Sequence, residues 1–131
     1  AASDVYKRQV LGTGGASQAV QYVLAQMEIP FDLVSRNPAT GNYTYDEVSD
    51  EVIGSHRLII NASPVGMHPN VEEAPRIPYA FVTPSHYLFD LIYNPAETLF
   101  LQYGAQRGAH TCNGLDMLVG QAEAAWAIWN R

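Results

Sequence analysis

The chain has 131 residues, 47% of them apolar and 15% charged, which suits one globular α/β domain with a real core. Its formal net charge of −6 argues against a general nucleic-acid binder and leaves room only for a local basic phosphate contact. One cysteine, Cys112, excludes an internal disulfide and a cysteine-built metal cluster, and no apolar run reaches the ~20 residues of a membrane span, so the expected setting is the cytoplasm.

Residues 1–9 (AASDVYKRQ) fit poorly, because a buried first strand of a parallel sheet reads as a nearly continuous apolar run, and here Lys7, Arg8 and Gln9 stand in it. They are expected to be a non-native remnant, with the domain proper covering residues 10–112 and a closing segment 113–131. Val10 and Leu11 lead into Gly12-Thr13-Gly14-Gly15-Ala16-Ser17. Ala16, Ala19, Val20, Val23, Leu24 and Met27 then recur at helical spacing and predict a helix buried along that stripe. A strand that breaks at glycines and reopens as a helix gathers bare N–H groups and a positive dipole end at one point, which is a phosphate site. Gly12 permits the turn, Gly14 lets a diphosphate approach the backbone, and Ser17 is small enough for close helix–strand packing. By itself the pattern is weak, and a plain glycine turn is the alternative.

Residues 31–34 (FDLV) read as the second strand, ending at Ser35-Arg36-Asn37-Pro38. An NAD-binding unit carries an acid there for the ribose 2′-hydroxyl; a guanidinium suits a 2′-phosphate, so NADP is the cofactor implied. The alternative for Arg36 is a solvated surface arginine. Residues 44–48 predict a short capped helix, and residues 58–61 (LIIN) a third strand whose polar Asn61 falls at the carboxyl edge of the sheet. Pro69, Pro75, Pro78 and Pro84 make 68–84 an irregular loop, and residues 87–93 (YLFDLIY) a fourth strand stopped by Asn94-Pro95. A helix over 98–107 ends at Gly108, a short strand follows at 109–112, and residues 115–130 form a last helix with a broad apolar face of Leu115, Leu118, Val119, Ala122, Ala125, Trp126 and Trp129.

The repeated strand–helix units predict a doubly wound parallel sheet, Rossmann-like. His56, His68, His86 and His110 are scattered and no HExxH, CxxC or GxSxG motif occurs, so no metal is expected.

GTGGAS after a strand, VSRN at the second strand end, INASPVGM, DLIYNP and NGLDMLVGQAEAAW, in this order, resemble shikimate dehydrogenase over residues 10–131, as its NADP-binding domain plus closing helices. The resemblance implies reduction of 3-dehydroshikimate to shikimate with NADPH, in chorismate and aromatic amino acid biosynthesis. It implies that Gly12, Thr13, Gly14, Gly15 and Ala16 hold the NADP diphosphate and that Ser35 and Arg36 face the 2′-phosphate. Thr40 stands where the family places a second basic group, so NADP preference rests on Arg36 alone. Asn61, Ser63 and Met67 correspond to the segment beside the nicotinamide ribose and ring, Leu91 and Gly114 to positions lining the nicotinamide, and Tyr93 and Gln121 to side chains that reach the shikimate substrate. No catalytic residue is assigned, because the family's lysine–aspartate pair lies on a preceding substrate domain and Lys7, the one lysine here, is outside that motif. The chain is therefore expected to be a fragment inactive alone, and a homodimer through the 115–130 helix. A quinate/shikimate dehydrogenase relative and a non-catalytic Rossmann-like binding module are the alternatives.

Overall fold

The computed structural model describes residues 7–114. Six strands form one parallel sheet: β1 (Lys7–Leu11), β2 (Phe31–Ser35), β3 (Tyr43–Thr44), β4 (His56–Asn61), β5 (Tyr87–Asp90) and β6 (His110–Asn113), in the order β3-β2-β1-β4-β5-β6. Three helices connect them, α1 (Gly15–Gln26), α2 (Asp50–Ser55) and α3 (Leu99–Gln106). The order reverses between β1 and β4. At such a switch point the two following loops diverge to opposite faces and leave a crevice beyond the carboxyl ends of the strands.

Successive residues of each central strand point to opposite faces, so a parallel sheet covered on both sides needs apolar residues at both phases. Leu11, Val34, Ile59 and Leu88 enter one core with Ile53 of α2, Phe100 and Leu101 of α3 and Val82. Val10 and Ile60 enter the other, with Leu24 of α1, and Val20, Leu33, Leu58 and Phe89 pack around them.

Several elements differ from the sequence reading. The first strand starts at Lys7 rather than Val10: Arg8 and Gln9 pair with both neighbouring strands and Lys7 with β4, through backbone bonds that any side chain permits. Gln9 is wholly buried, and among the described residues neither end of its amide has a partner. The buried positions of α1 are Ser17 and Leu24, while Val23 is 53% and Met27 63% exposed. The six-residue stripe is wider than the strip of helix that meets the sheet, and the contact centres on the 17-20-24 line. The short capped helix read over residues 44–48 is of the 3₁₀ kind and covers Tyr45–Glu47, with Thr44 as its cap and Glu47 accepting from the Thr44 N–H at 2.9 Å. A short strand β3 and the helix α2, capped by Ser49 on the Val52 N–H, were not read from the sequence. The fourth strand ends at Asp90 rather than Tyr93, because the Asp90 carboxylate itself takes the Ile92 N–H at 3.0 Å and turns the chain. Among the described residues no helix is long and apolar enough to cross a membrane.

Candidate functional site

The glycine turn between β1 and α1 forms the floor of the crevice. Gly12 has φ +101°, a conformation that L side chains rarely adopt, and its N–H reaches the Val34 carbonyl at 2.9 Å. A Cβ on Gly12 would lie 3.1 Å from the backbone and Cβ of Ser63. Gly12 therefore brings the β1 and β4 loops into contact. Gly14 and Gly15 face open space instead, with nothing within 4 Å of a built Cβ.

Gly14 is the N-cap of α1 and offers no side chain to cap it, and the first turn carries no acid. The leading N–H groups of an α-helix have no acceptor within the helix, so this end presents donors and positive potential to the crevice. An anion fits there, which is the requirement of a dinucleotide diphosphate.

At the end of β2, Arg36 is exposed beside the crevice and Ser35 is buried. The Ser35 and Thr40 hydroxyls lie 2.7 Å apart, and the Asn37 N–H donates to Ser35 Oγ at 3.1 Å. Thr40 thus closes this loop on itself as well as standing in the cleft wall. Tyr45 also lines the cleft; burial pushes its hydroxyl up, while Ser63 and the Arg36 charge pull the other way. Tyr45 escaped the sequence reading, since the only local signal was the capping pattern of its 3₁₀ turn.

The third wall comes from β4. Asn61 is wholly buried and does not touch the cleft; its Oδ1 accepts from Ser63 N–H at 3.2 Å and Ser63 Oγ at 2.6 Å. Its Nδ2 donates to the Val65 carbonyl at 3.3 Å and to Asp90 Oδ1 at 3.2 Å. Asn61 is therefore a scaffold for the 62–67 loop rather than a surface that meets a ligand.

Beyond β5 the chain passes Leu91, Ile92 and Tyr93, all on the cleft, with Tyr93 58% exposed. Gly114 is buried behind Leu91, where a Cβ would run into the Leu91 carbonyl, so it shapes the wall from the rear.

Of the residues singled out in the sequence, Gly12, Thr13, Gly14, Gly15, Ala16, Ser35, Arg36, Ser63, Met67, Leu91 and Tyr93 line one open cleft of about 1550 Å³. Asn61 and Gly114 stand behind it. Gln121 and the whole 115–130 segment lie outside the described residues. Among the described residues no group of three or more His, Cys, Asp or Glu side chains could hold a metal.

The strand order, the glycine turn at the switch point and the basic end of β2 define a Rossmann-like domain of the class that binds dinucleotides. No family model matches the chain. The NADP(+) shikimate dehydrogenase of Caldanaerobacter subterraneus subsp. tengcongensis is 36% identical over 138 aligned residues, covering 94% of this chain and 49% of the relative. That of Clostridium beijerinckii is 40% identical over 131, covering 92% and 47%. The crystal structure of shikimate 5-dehydrogenase from Thermus thermophilus in complex with NADP(H) and shikimate matches at a TM-score of 0.73 and 29% identity, over 93% of this chain and 48% of that one. The chain is a shikimate dehydrogenase homologue, and it spans about half the length of the curated relatives it matches. That is the family to which the five ordered motifs point.

Proposed function

We propose that this cleft binds NADP(H) and that the chain supplies the cofactor half of an oxidoreductase that interconverts 3-dehydroshikimate and shikimate. The observation that carries the reading is the acid-free N-terminus of α1, with no side-chain cap, opening into the same cleft as Arg36. Gly12, Thr13, Gly14, Gly15 and Ala16 hold the diphosphate through backbone N–H groups and the helix dipole. Arg36 pairs with the 2′-phosphate, with Ser35 and Thr40 setting the loop behind it. Ser63, Met67 and Leu91 line the nicotinamide side, backed by Asn61 and Gly114. Tyr93 and, by the resemblance alone, Gln121 are assigned to the substrate, a small polyhydroxy carboxylate.

When bound, the cofactor supplies the hydride. The residues of this chain bind and orient it. A ketone reduced by hydride needs an acid near the forming alkoxide; Tyr45, His68 and Tyr93 line the cleft, but the resemblance assigns that role to a lysine–aspartate pair that this stretch does not carry. Lys7 begins β1, on the order of 13 Å of strand away from the cleft. Asp90 is buried and fully bonded. These 131 residues alone accordingly bind cofactor without oxidising shikimate, in a cytoplasmic setting.

The apolar sequence face of Leu118, Trp126 and Trp129 supports a homodimer formed through residues 115–130, since an apolar patch of several hundred Å² on a monomer draws a partner. Sedimentation of the wild-type chain beside a Trp126→Glu/Trp129→Glu variant tests this, with dimer expected for the first and monomer for the second.

The binding reading is tested at Gly14. Its backbone is extended (φ −77°, ψ −167°) and open space surrounds it, so Gly14→Asp is accommodated and provides a favoured N-cap. The same carboxylate opposes a diphosphate. Calorimetry should show saturable NADPH binding by the wild type and at least about tenfold weaker binding by a fully folded Gly14→Asp; unchanged affinity removes the diphosphate from this loop.

A further inference from the structure

Asp90 is not among the cleft-lining residues, yet it is tied to two of the loops around the cleft and to the cap of α3. It is wholly buried at the end of β5, directly beside Asn61 in the paired register of β4. Its Oδ1 accepts from Asn61 Nδ2 at 3.2 Å and from the Ile92 N–H at 3.0 Å. Its Oδ2 accepts from Thr98 Oγ1 at 2.6 Å, and Thr98 is the N-cap of α3.

The direction of these bonds matters. A carboxylate only accepts, so the Asn61 amide must turn its NH₂ toward Asp90 and its carbonyl toward Ser63. The Asn61 carbonyl then takes both the N–H and the hydroxyl hydrogen of Ser63. With that hydrogen committed, Ser63 Oγ can only accept; it takes the Val65 N–H at 3.4 Å, and its remaining lone pair faces the cleft beside Tyr45, suited to a donor such as a ribose hydroxyl or a carboxamide N–H. The same carboxylate fixes the turn at Ile92, from which Leu91 and Tyr93 project.

We propose that Asp90 is the positioning residue for the nicotinamide half of the bound cofactor, acting through Asn61 on Ser63 and through Ile92 on Leu91 and Tyr93. The assignment rests on the NADP reading above. Asp90 has no tie to the Ser35–Thr40 loop or to Gly14 and Gly15, which serve the adenosine and diphosphate end.

The test compares NADPH with adenosine 2′,5′-bisphosphate, which carries the 2′-phosphate end without the nicotinamide. Asp90→Ala removes the acceptor of Asn61 Nδ2 and of the Ile92 N–H, and is expected to weaken NADPH about tenfold, the effect of one or two lost hydrogen bonds, and to leave the bisphosphate within about twofold. Asp90→Asn keeps a carbonyl oxygen for both donors and turns its NH₂ to the Thr98 hydroxyl, which can accept, so it should hold NADPH affinity within about twofold of the wild type. Equal weakening of both probes by a folded Asp90→Ala, or no weakening of either, overturns the assignment while leaving the cofactor reading in place. A wild type that binds neither probe overturns both. Should Asp90→Ala fail to fold, Asn61→Ala decides: loss of NADPH affinity with the bisphosphate retained supports the assignment, and equal loss of both probes, no loss, or a second failure to fold overturns it.

Discussion

The imidazole of His56 and the carboxylate of Asp32 lie 2.7 Å apart at the amino end of the sheet, on the side away from the cleft. His56 is wholly buried, its other ring nitrogen meets the Val52 carbonyl at 2.6 Å, and the Tyr43 ring packs edge-on against it. One side chain therefore joins β2, β4 and the end of α2. His56→Ala leaves the Asp32 charge and the Val52 carbonyl without that partner. Breaking a buried pair from one side costs about 3–5 kcal/mol. Asp32 keeps 20% side-chain exposure, which brings the expected loss to the lower end, about 3 kcal/mol. Urea unfolding at an unchanged slope reads it; a loss below about 1 kcal/mol would mean the pair is not holding these elements together.

Gln9 gives a prediction of opposite sign. It is buried in the central strand, with both amide atoms lacking a partner among the described residues, opposite Asp32 and Ile59 in the neighbouring strands. Burying an unsatisfied amide costs about 1–3 kcal/mol, whereas an apolar side chain of similar size gains from the same burial. Gln9→Leu is expected to raise stability by about 1–2 kcal/mol, seen as a higher urea midpoint. A lower midpoint would show that the amide is satisfied after all.

Asp90 links stability to pH. Burial pushes its carboxyl above the ordinary aspartate range, against the opposing pull of the Thr98, Ile92 and Asn61 donors. A carboxyl whose folded pKa is raised gives its full contribution below the unfolded pKa and loses it as pH rises through the folded value. The stability of the wild type relative to Asp90→Asn, whose amide does not titrate, should therefore shrink as pH climbs from the ordinary aspartate range into the raised range. A difference that grows with pH over that interval would contradict the environment described for Asp90.

What the sequence made legible follows from how local each signal was. The glycine turn, the strand ending in Asn61 and the basic end of β2 are continuous stretches whose chemistry is carried by adjacent residues, and the structure gathers them at one crevice. The Thr98 cap and the positive φ of Gly108 after α3 are likewise local, and both stand where the sequence placed the ends of that helix. The Asp90–Asn61–Ser63 chain was not legible, because it depends on β4 and β5 being neighbours in register, across 29 residues of sequence. The exposure of Val23 and Met27 on α1 was missed for a related reason: periodicity shows that an apolar stripe exists, whereas tertiary contact decides how much of it meets the sheet. β3 and α2, at two and six residues, are too short to show a period, although Ser49, Asp50 and Glu51 do form a cap signal.

If one cleft holds a dinucleotide with its 2′-phosphate on Arg36, the ratio of NADPH to NADH affinity in the same protein reads it. One charge-assisted contact contributes about 1.5–3 kcal/mol, so calorimetric titration should show NADPH bound about ten- to a hundredfold more tightly, with Arg36→Ala erasing the difference. Equal affinities for the two cofactors, or a preference that survives Arg36→Ala, would take the 2′-phosphate off Arg36.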